Sequence, residues 1–128
     1  MERKFAVSLV RKTYLTEEDI DGIMSCALDG GITAMWCARV EVVGEKYLGE
    51  YASDQISRGG ELRFYDRESS ETWVLNRAKL ILGIEMAVMK GYGWGWFDEN
   101  GKLDIFNIDA NEADTMVQFA LFGEVVFS

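Results

Sequence analysis

The chain of 128 residues contains no histidine and no proline, and it has only two cysteines. Without histidine, Ser-His-Asp catalysis, Cys-His catalysis and His-ligated metal sites are excluded. Cys26 and Cys37 are too few and too far apart in sequence to form a zinc site. We expect both to be free thiols, with a disulfide between them as the alternative. The sequence therefore predicts no metal centre.

Long apolar runs are also missing. A membrane-spanning helix needs roughly eighteen consecutive apolar residues, and no segment of the chain provides them. The basic N-terminus has an apolar stretch that is too short for a signal peptide, and no small-residue cleavage site follows it. No GxxxxGKS/T or GxGxxG motif opens a helix after a strand. We therefore predict a cytoplasmic protein that needs no cofactor and does not enter a membrane.

The patterns that are present predict a single α+β domain over residues 1–128, with three main helices packed on a small antiparallel or mixed sheet. Capping residues and glycine stops predict the helices. The LRFYD and TWVL runs predict a β-hairpin over residues 61–75. The main helices are expected near residues 17–28, 77–90 and 110–122, with a short helix at 51–58 and further strands at 3–12, 35–43, 102–106 and 125–127.

Two helix starts carry the sequence of a capping box, in which the side chains of the N-cap and of the third helical residue satisfy each other's backbone N–H groups. Thr16 and Asp19 form one, and Asp109 and Glu112 form the other. The helix after Asp109 has one apolar stripe, expected to be buried. That stripe comprises Ala113, Met116, Val117, Ala120 and Leu121.

The helix at 77–90, which Asn76 caps, is apolar on nearly every side. A helix with so wide an apolar surface is either central in the fold or part of an interface.

Negative charge dominates the chain, whose net charge is −9. Residues 15–58 and residues 91–128 each carry a net charge of −6, residues 59–90 are neutral, and the first fourteen residues are positive. Because such a surface repels phosphate, we expect no direct nucleic-acid binding. An acidic surface suits docking onto a basic protein groove, although it is also the usual solvated exterior of a soluble protein.

Aromatic residues alternate with glycines in the segment GYGWGWF, which follows the apolar helix. One interpretation is an exposed recognition loop, in which Tyr92, Trp94, Trp96 and Phe97 stack on a ligand or enter a pocket of a partner. The alternative is that alternate rings enter the core as a strand.

A second candidate site is the polar turn SDQISRGG at residues 53–60. Arg58 precedes two glycines there, and the turn could hold an anion with its backbone N–H groups. The alternative is a capped turn that only leads into the hairpin.

Three blocks of the sequence, covering about half of the chain, resemble a family of small, uncharacterised proteins of Firmicutes phages and prophages. The blocks are TEEDIDGIMSCALDGG, VVGEKYLGEYASDQISRGGELRFYD and NIDANEADTMVQFALFGEVVF. The resemblance implies a phage origin, and it supplies no catalytic residues. Accessory phage proteins of this size often act on host defence, which is an argument by association.

These observations favour a non-enzymatic counter-defence inhibitor, similar in role to an anti-CRISPR protein, that binds a host protein such as a basic nucleic-acid-binding effector. Alternatives are a sponge for a nucleotide immune signal, in which Arg58, Arg63 or Arg67 meets the phosphates, and a phage structural or assembly protein. A homo-oligomer joined through the apolar helix and an enzyme with a carboxylate pair also remain open.

Overall fold

The computed structural model describes residues 2–6, 12–30, 33–44 and 47–127, and within them the fold is α+β. Three helices of thirteen residues pack around a three-stranded antiparallel sheet. The helical elements are α1 (Glu17–Asp29), the short α2 (Thr33–Trp36), α3 (Arg77–Met89) and α4 (Ala110–Phe122), with 3-10 turns at Ala52–Asp54 and Ile105–Asn107. The strands are β1 (Cys37–Val42), β2 (Leu62–Asp66) and β3 (Thr72–Leu75).

Capping side chains set the starts of the long helices. Both bonds of the Thr16–Asp19 box form, so α1 begins as predicted. At α4 only one bond of the predicted box is present, because Asp109 accepts from the Glu112 N–H at 2.8 Å while the Glu112 carboxylate turns to Trp96 instead. The ends of the three long helices were therefore predicted to within about one residue, whereas the predicted capping box of α4 is only half formed.

The sheet has the order β1-β2-β3, and the predicted hairpin is its β2–β3 pair. Leu62 lies opposite Leu75, and Phe64 lies opposite Trp73, so these four side chains share the face that meets the helices. Leu62, Phe64 and Leu75 are completely buried. The alternation of the hairpin thus places its apolar face on the core.

Helix α4 lies at the centre, with α3 on one side and α1 on another. The approach of α3 is very close at Gly83, where a β-carbon would lie 2.5 Å from the backbone of Ala120. Residues Leu80, Ile84 and Ala87 share this buried face of α3. The other side of α3 is exposed, so the helix predicted to be apolar all round buries only one of its faces.

A cluster of aromatic rings joins the sheet to the helices. The ring of Trp36 stacks on Phe127 with centroids 5.0 Å apart and on Phe64 at 6.1 Å. Trp73 and Phe122 complete the cluster, with their rings edge to face at 4.8 Å. Such pairs add to the energy of area burial, so the C-terminal segment is part of the core.

Several of the weaker predictions were wrong. The expected strand at 35–43 begins only at Cys37, because Met35 and Trp36 end α2. The short helix expected at 51–58 is reduced to the 3-10 turn at Ala52–Asp54, followed by further turns. The strand expected at 102–106 is limited to one isolated bridge between Leu103 and Phe97, and segment 125–127 is an extended end held by Gln118. In the predicted strand at 3–12, residues 3–6 and 12 have no strand structure, and the others lie outside the described residues.

No helix in the described parts of the chain is both long and apolar enough to cross a membrane.

Candidate binding surface

Residues 91–97 form a tight curl whose shape depends on its glycines. The N–H of Trp96 donates to the Gly93 carbonyl at 3.1 Å, closing a turn with Trp94 and Gly95 at its centre. Gly95 has φ +81°, and a turn of type II requires such a value at its third position. Gly93, at φ +88°, is equally restricted, since a β-carbon there would lie 2.8 Å from the Trp96 ring. The glycines therefore fix the directions of the two tryptophans.

Trp96 points into the protein and is fully buried. Its Nε1–H donates to the Glu112 carboxylate at 2.6 Å, which joins the curl to the first turn of α4. A buried indole with its N–H bonded belongs to the core, so Trp96 cannot touch a partner while the protein is folded. Of the two interpretations left open by the sequence, Trp96 follows burial in the core and not exposure, although it is in a turn and not in a strand. Tyr92, Trp94 and Phe97 remain as candidate binding residues of this segment.

Trp94 points outward, and its side chain is 97% exposed. Tyr92 and Phe97 occupy intermediate positions. Tyr92 is 45% exposed, and its ring forms an edge-to-face pair with the Phe119 ring, with the centroids 5.2 Å apart. Phe97 is half-buried against the core. Of the four aromatic residues singled out in the sequence, only Trp94 presents a whole ring to solvent.

A second exposed ring lies on the neighbouring loop. Phe106 is 96% exposed, and the residue after it, Asn107, donates through Nδ2 to the Gly95 carbonyl at 2.9 Å. The Asp104 N–H also donates to the Trp96 carbonyl at 2.8 Å. These two bonds tie the loops together, and we call the exposed rings of Trp94 and Phe106, with the two loops that carry them, the Trp94–Phe106 surface. Phe106 was not predicted as a site residue, although Asp104, two residues earlier, is a typical turn residue whose carboxylate accepts the Phe106 N–H at 3.2 Å.

Acidic side chains lie on the Phe106 side of this surface. Beside Phe106 lies an open groove of about 710 Å³, whose carboxylates include Glu18, Asp19, Asp98 and Asp104. Lys102 is the cation in its lining. The groove joins the acidic first turn of α1 to the C-terminal region, whose net charge is −6. The Phe106 ring thus stands at the edge of a negatively charged groove.

Arg58 lies in a different place and already has oxygen partners. Its guanidinium is 4.0 Å from the Asp21 carboxylate and 3.4 Å from the Asp54 carbonyl. Among the described residues, no contact therefore joins Arg58 to the aromatic segment at 91–97. An incoming phosphate would also have to compete with the carboxylate of Asp21.

The other two arginines considered for a nucleotide are engaged as well. Arg63 lies 3.9 Å from the Glu41 carboxylate, which also accepts from the Tyr65 hydroxyl at 2.9 Å. Arg67 donates to the carbonyls of Ala34 and Cys37. These contacts give the three arginines of the nucleotide hypothesis structural roles.

The buried polar groups also have structural partners. Asp114 accepts from Thr33 at 2.7 Å, from Trp36 at 2.9 Å and from Gln118 at 2.7 Å. Gln118 in turn accepts from the N–H groups of Val126 and Phe127, each at 2.8 Å. Both carboxylate oxygens of Asp114 accept hydrogen bonds, which hold α2 directly and the C-terminal segment through Gln118 on α4. This carboxylate therefore stabilises the fold, and it also lines an open cavity of about 310 Å³ beside Phe127.

Cys37 is the remaining reactive group near a cavity. It borders an open groove of about 520 Å³ between α1, β1 and the turn at Tyr51. Burial raises the pKa of the Cys37 thiol above its ordinary value of 9.0. A thiol that stays protonated at neutral pH is a weak nucleophile, so this groove has no activated group at Cys37. In the described ranges no cluster of three or more cysteine or acidic side chains has the geometry of a metal site.

Comparison with known proteins returned no matching family model, no similar curated protein and no similar solved structure.

Proposed function

We propose that this chain is a small, non-enzymatic counter-defence protein of a phage or prophage that acts in the host cytoplasm. It binds a basic host protein, of the nucleic-acid-binding effector type, through the Trp94–Phe106 surface and blocks it. The observation that carries the proposal is the pair of almost fully exposed rings on two loops that hydrogen bonds hold together. A monomer gains no folding energy from such rings, which are typical anchors of a protein interface.

Rigid support favours binding at this surface. The ring of Trp94 stands on a glycine turn, and the adjacent Trp96 is locked into the core by the Glu112 carboxylate. A preorganised anchor loses little conformational freedom when it enters a pocket, so more of its contact energy appears as affinity. The buried Trp96 is thus a support for the surface and Trp94 is the contact residue.

Charge supports a basic partner. The acidic groove beside Phe106 repels nucleic acid and attracts the cationic face with which an effector would hold its nucleic acid. Attraction between exposed charges is screened over about 8 Å at physiological salt, so binding should weaken as salt rises. The inhibitor would then occupy the nucleic-acid site by presenting acidic side chains where phosphates normally lie.

The experiment compares two baits that differ only at the surface. Wild-type protein and the Trp94→Ala/Phe106→Ala variant are immobilised and exposed to host lysate, and the protein retained by the wild type alone is then purified. Titration calorimetry of that pair should show a loss of about 2–4 kcal/mol in the variant, or roughly thirtyfold to a thousandfold in Kd. Met35→Ala is the matched control, because Met35 is 72% exposed and lies in a different cavity lining.

Three results would count against the proposal. Equal retention by both baits would show that the rings are not the contact. A nucleotide released from the denatured, freshly isolated protein would favour the signal-sponge alternative. Turnover of a nucleotide or peptide by the purified protein would contradict the proposal that the protein is not an enzyme.

A further inference from the structure

Strand β1 is one edge of the sheet, and part of its backbone faces away from the neighbouring strand β2. The Val43 N–H donates to the Glu61 carbonyl at 3.0 Å, and in an antiparallel pair the residues that bond the neighbouring strand alternate along the chain. The N–H and C=O groups of Val40 and Val42 therefore point away from β2. Within the described ranges no hydrogen bond reaches these groups. An unpaired edge of this kind is a template for another strand.

Two opposite charges stand at this edge. Arg39 and Glu41 lie on the face of the sheet turned away from the helices, because Val40 between them packs against the core. The Arg39 guanidinium lies over the Tyr65 ring, 3.9 Å from its centroid, and the Tyr65 hydroxyl donates to Glu41 at 2.9 Å. Tyr65 thus positions both charged side chains, while each keeps a large exposed fraction that a neighbouring strand can reach.

We propose that β1 pairs with β1 of a second copy in antiparallel orientation, with the twofold axis at Val40. Backbone bonds form only where the outward groups of Val40 and Val42 meet those of the other strand. With the axis at Val40, Arg39 of each copy lies directly opposite Glu41 of the other, in a closely spaced pair. An axis at Glu41 would bring two carboxylates together, and an axis at Val42 would set Glu41 against the uncharged Val43. Charge therefore selects one register, in which β1 is complementary to itself.

The other face of the edge adds apolar contact. The Val40 side chains of the two copies would meet at the axis. The open groove of about 520 Å³ borders the edge, and its lining includes Tyr51, whose side chain is 61% exposed. Strand addition takes its affinity from main-chain hydrogen bonds and its specificity from side chains, so it does not depend on a wide apolar stripe. Because β1 has only six residues, the dimer is reversible and its population depends on concentration.

Sedimentation equilibrium of the intact chain over a hundredfold range of concentration tests this pairing. Salt is held at the physiological level, where repulsion between two chains of net charge −9 is screened beyond about 8 Å. The weight-average mass should rise from one chain towards two. Arg39→Glu sets carboxylates against each other and Glu41→Arg sets guanidinium groups against each other, so either variant alone should lose about tenfold or more in association constant. An equimolar mixture of the two variants should recover the association, because each mixed pair again has opposite charges at both positions.

Lys90→Glu and Glu85→Arg are the matched controls, because they change the net charge in the same two ways at exposed positions on α3 and its C-cap. Both should leave the association constant within about twofold of wild type. Circular dichroism verifies the fold of each variant. If Glu41→Arg does not fold beside Arg63, Glu41→Arg/Arg63→Glu replaces it and keeps an ion pair between positions 41 and 63.

A chain that stays monomeric at every concentration would overturn the proposal, as would a dimer that both edge variants leave intact. A mixture that associates no better than either variant alone would show that positions 39 and 41 do not meet across the axis. Equal losses in the controls would show that net charge governs the association instead of β1. If Arg39→Glu reduces binding of the captured host protein by a monomeric chain, the edge belongs to that protein. The Trp94→Ala/Phe106→Ala variant should dimerise like wild type, so this proposal and the proposed function can fail separately.

Discussion

Replacing Trp96 tests whether the curl at residues 91–97 places Trp96 in the core and Trp94 at the surface. Trp96 is fully buried and is the largest of the completely buried side chains. Truncating a buried tryptophan to alanine usually costs about 3–5 kcal/mol of unfolding free energy, through lost apolar contact and the cavity that remains. Since a domain has a total stability of only about 5–15 kcal/mol, Trp96→Ala should be marginally folded at room temperature.

The hydrogen bond can be separated from the packing with Trp96→Phe. That variant keeps an aromatic ring but loses the Nε1–H that donates to Glu112 at 2.6 Å. Glu112 is only partly buried, so water can reach its carboxylate, and we expect a loss of about 1 kcal/mol for the bond itself. Trp94→Ala is the matched control, and because Trp94 is 97% exposed its effect should stay within about 0.5 kcal/mol.

Urea denaturation followed by far-ultraviolet circular dichroism measures all three variants, with unfolding free energies taken from midpoints at a common slope. The expected order of stability is wild type equal to Trp94→Ala, then Trp96→Phe, then Trp96→Ala. If Trp96→Ala lost less than about 1 kcal/mol, or if Trp94→Ala were as damaging, the assignment of the two rings to core and surface would be wrong.

Three further results are expected from single sites. Asp109→Ala should lower stability by about 1 kcal/mol in a thermal melt at neutral pH, because its carboxylate caps α4 at 2.8 Å from the Glu112 nitrogen, and an unchanged melt would argue against that cap. Val117→Ala should cost about 1–3 kcal/mol by urea denaturation, since Val117 is fully buried, and a neutral effect would show that its surroundings collapse without loss. Cys37 should react with a disulfide reagent at pH 8 far more slowly than Cys26 in the folded protein and equally in urea.

The sign of the pH effect at Cys37 follows from the direction of its shift. Burial raises the pKa of this thiol, so the folded state keeps the proton at a pH where the unfolded state begins to lose it. The contribution to stability is intact below the ordinary value of 9.0 and declines as pH rises towards the higher folded value. Cys37→Ala should reduce this alkaline loss relative to wild type, as measured by urea denaturation at pH 8 and pH 10. An identical loss in both proteins would show that other groups account for it.

Short sequence patterns correctly predicted the helices and strands that are stabilised by residues close to them in sequence. Thr16, Asn76 and Asp109 cap helices because short polar side chains reach the next turn whatever the rest of the fold does. The hairpin follows from the alternation in LRFYD and TWVL, with an all-polar loop between them.

Elements that depend on distant contacts were missed. Trp36 was predicted in a strand, yet it ends α2 with its indole bonded to Asp114, a residue far away in the sequence. Asp114 and Gln118 lie one helical turn apart in α4, a spacing that sequence alone assigns to solvent as readily as to the core. Their burial follows from partners in α2 and in the C-terminal segment.

The same difference between local and distant contacts applies to the Trp94–Phe106 surface. Alternating glycines predict an unusual backbone, but they do not say which tryptophan faces inward, since each tryptophan follows a glycine. Trp96 is the one that faces inward, because its indole N–H donates to the Glu112 carboxylate, which was expected to complete the capping box of α4 instead. The loops that carry Phe106 and Trp94 are held together by the bonds from Asn107 to Gly95 and from Asp104 to Trp96. A surface built from two loops becomes visible once the fold has brought them together.

Calorimetric titration of the captured host protein against wild type, the Trp94→Ala/Phe106→Ala variant and the Met35→Ala control tests the central claim most directly. The account predicts a Kd that rises by roughly thirtyfold or more for the double variant alone, and that rises with salt for wild type. An unchanged Kd for the double variant, with the fold intact by circular dichroism, would contradict the assignment of binding to the Trp94–Phe106 surface.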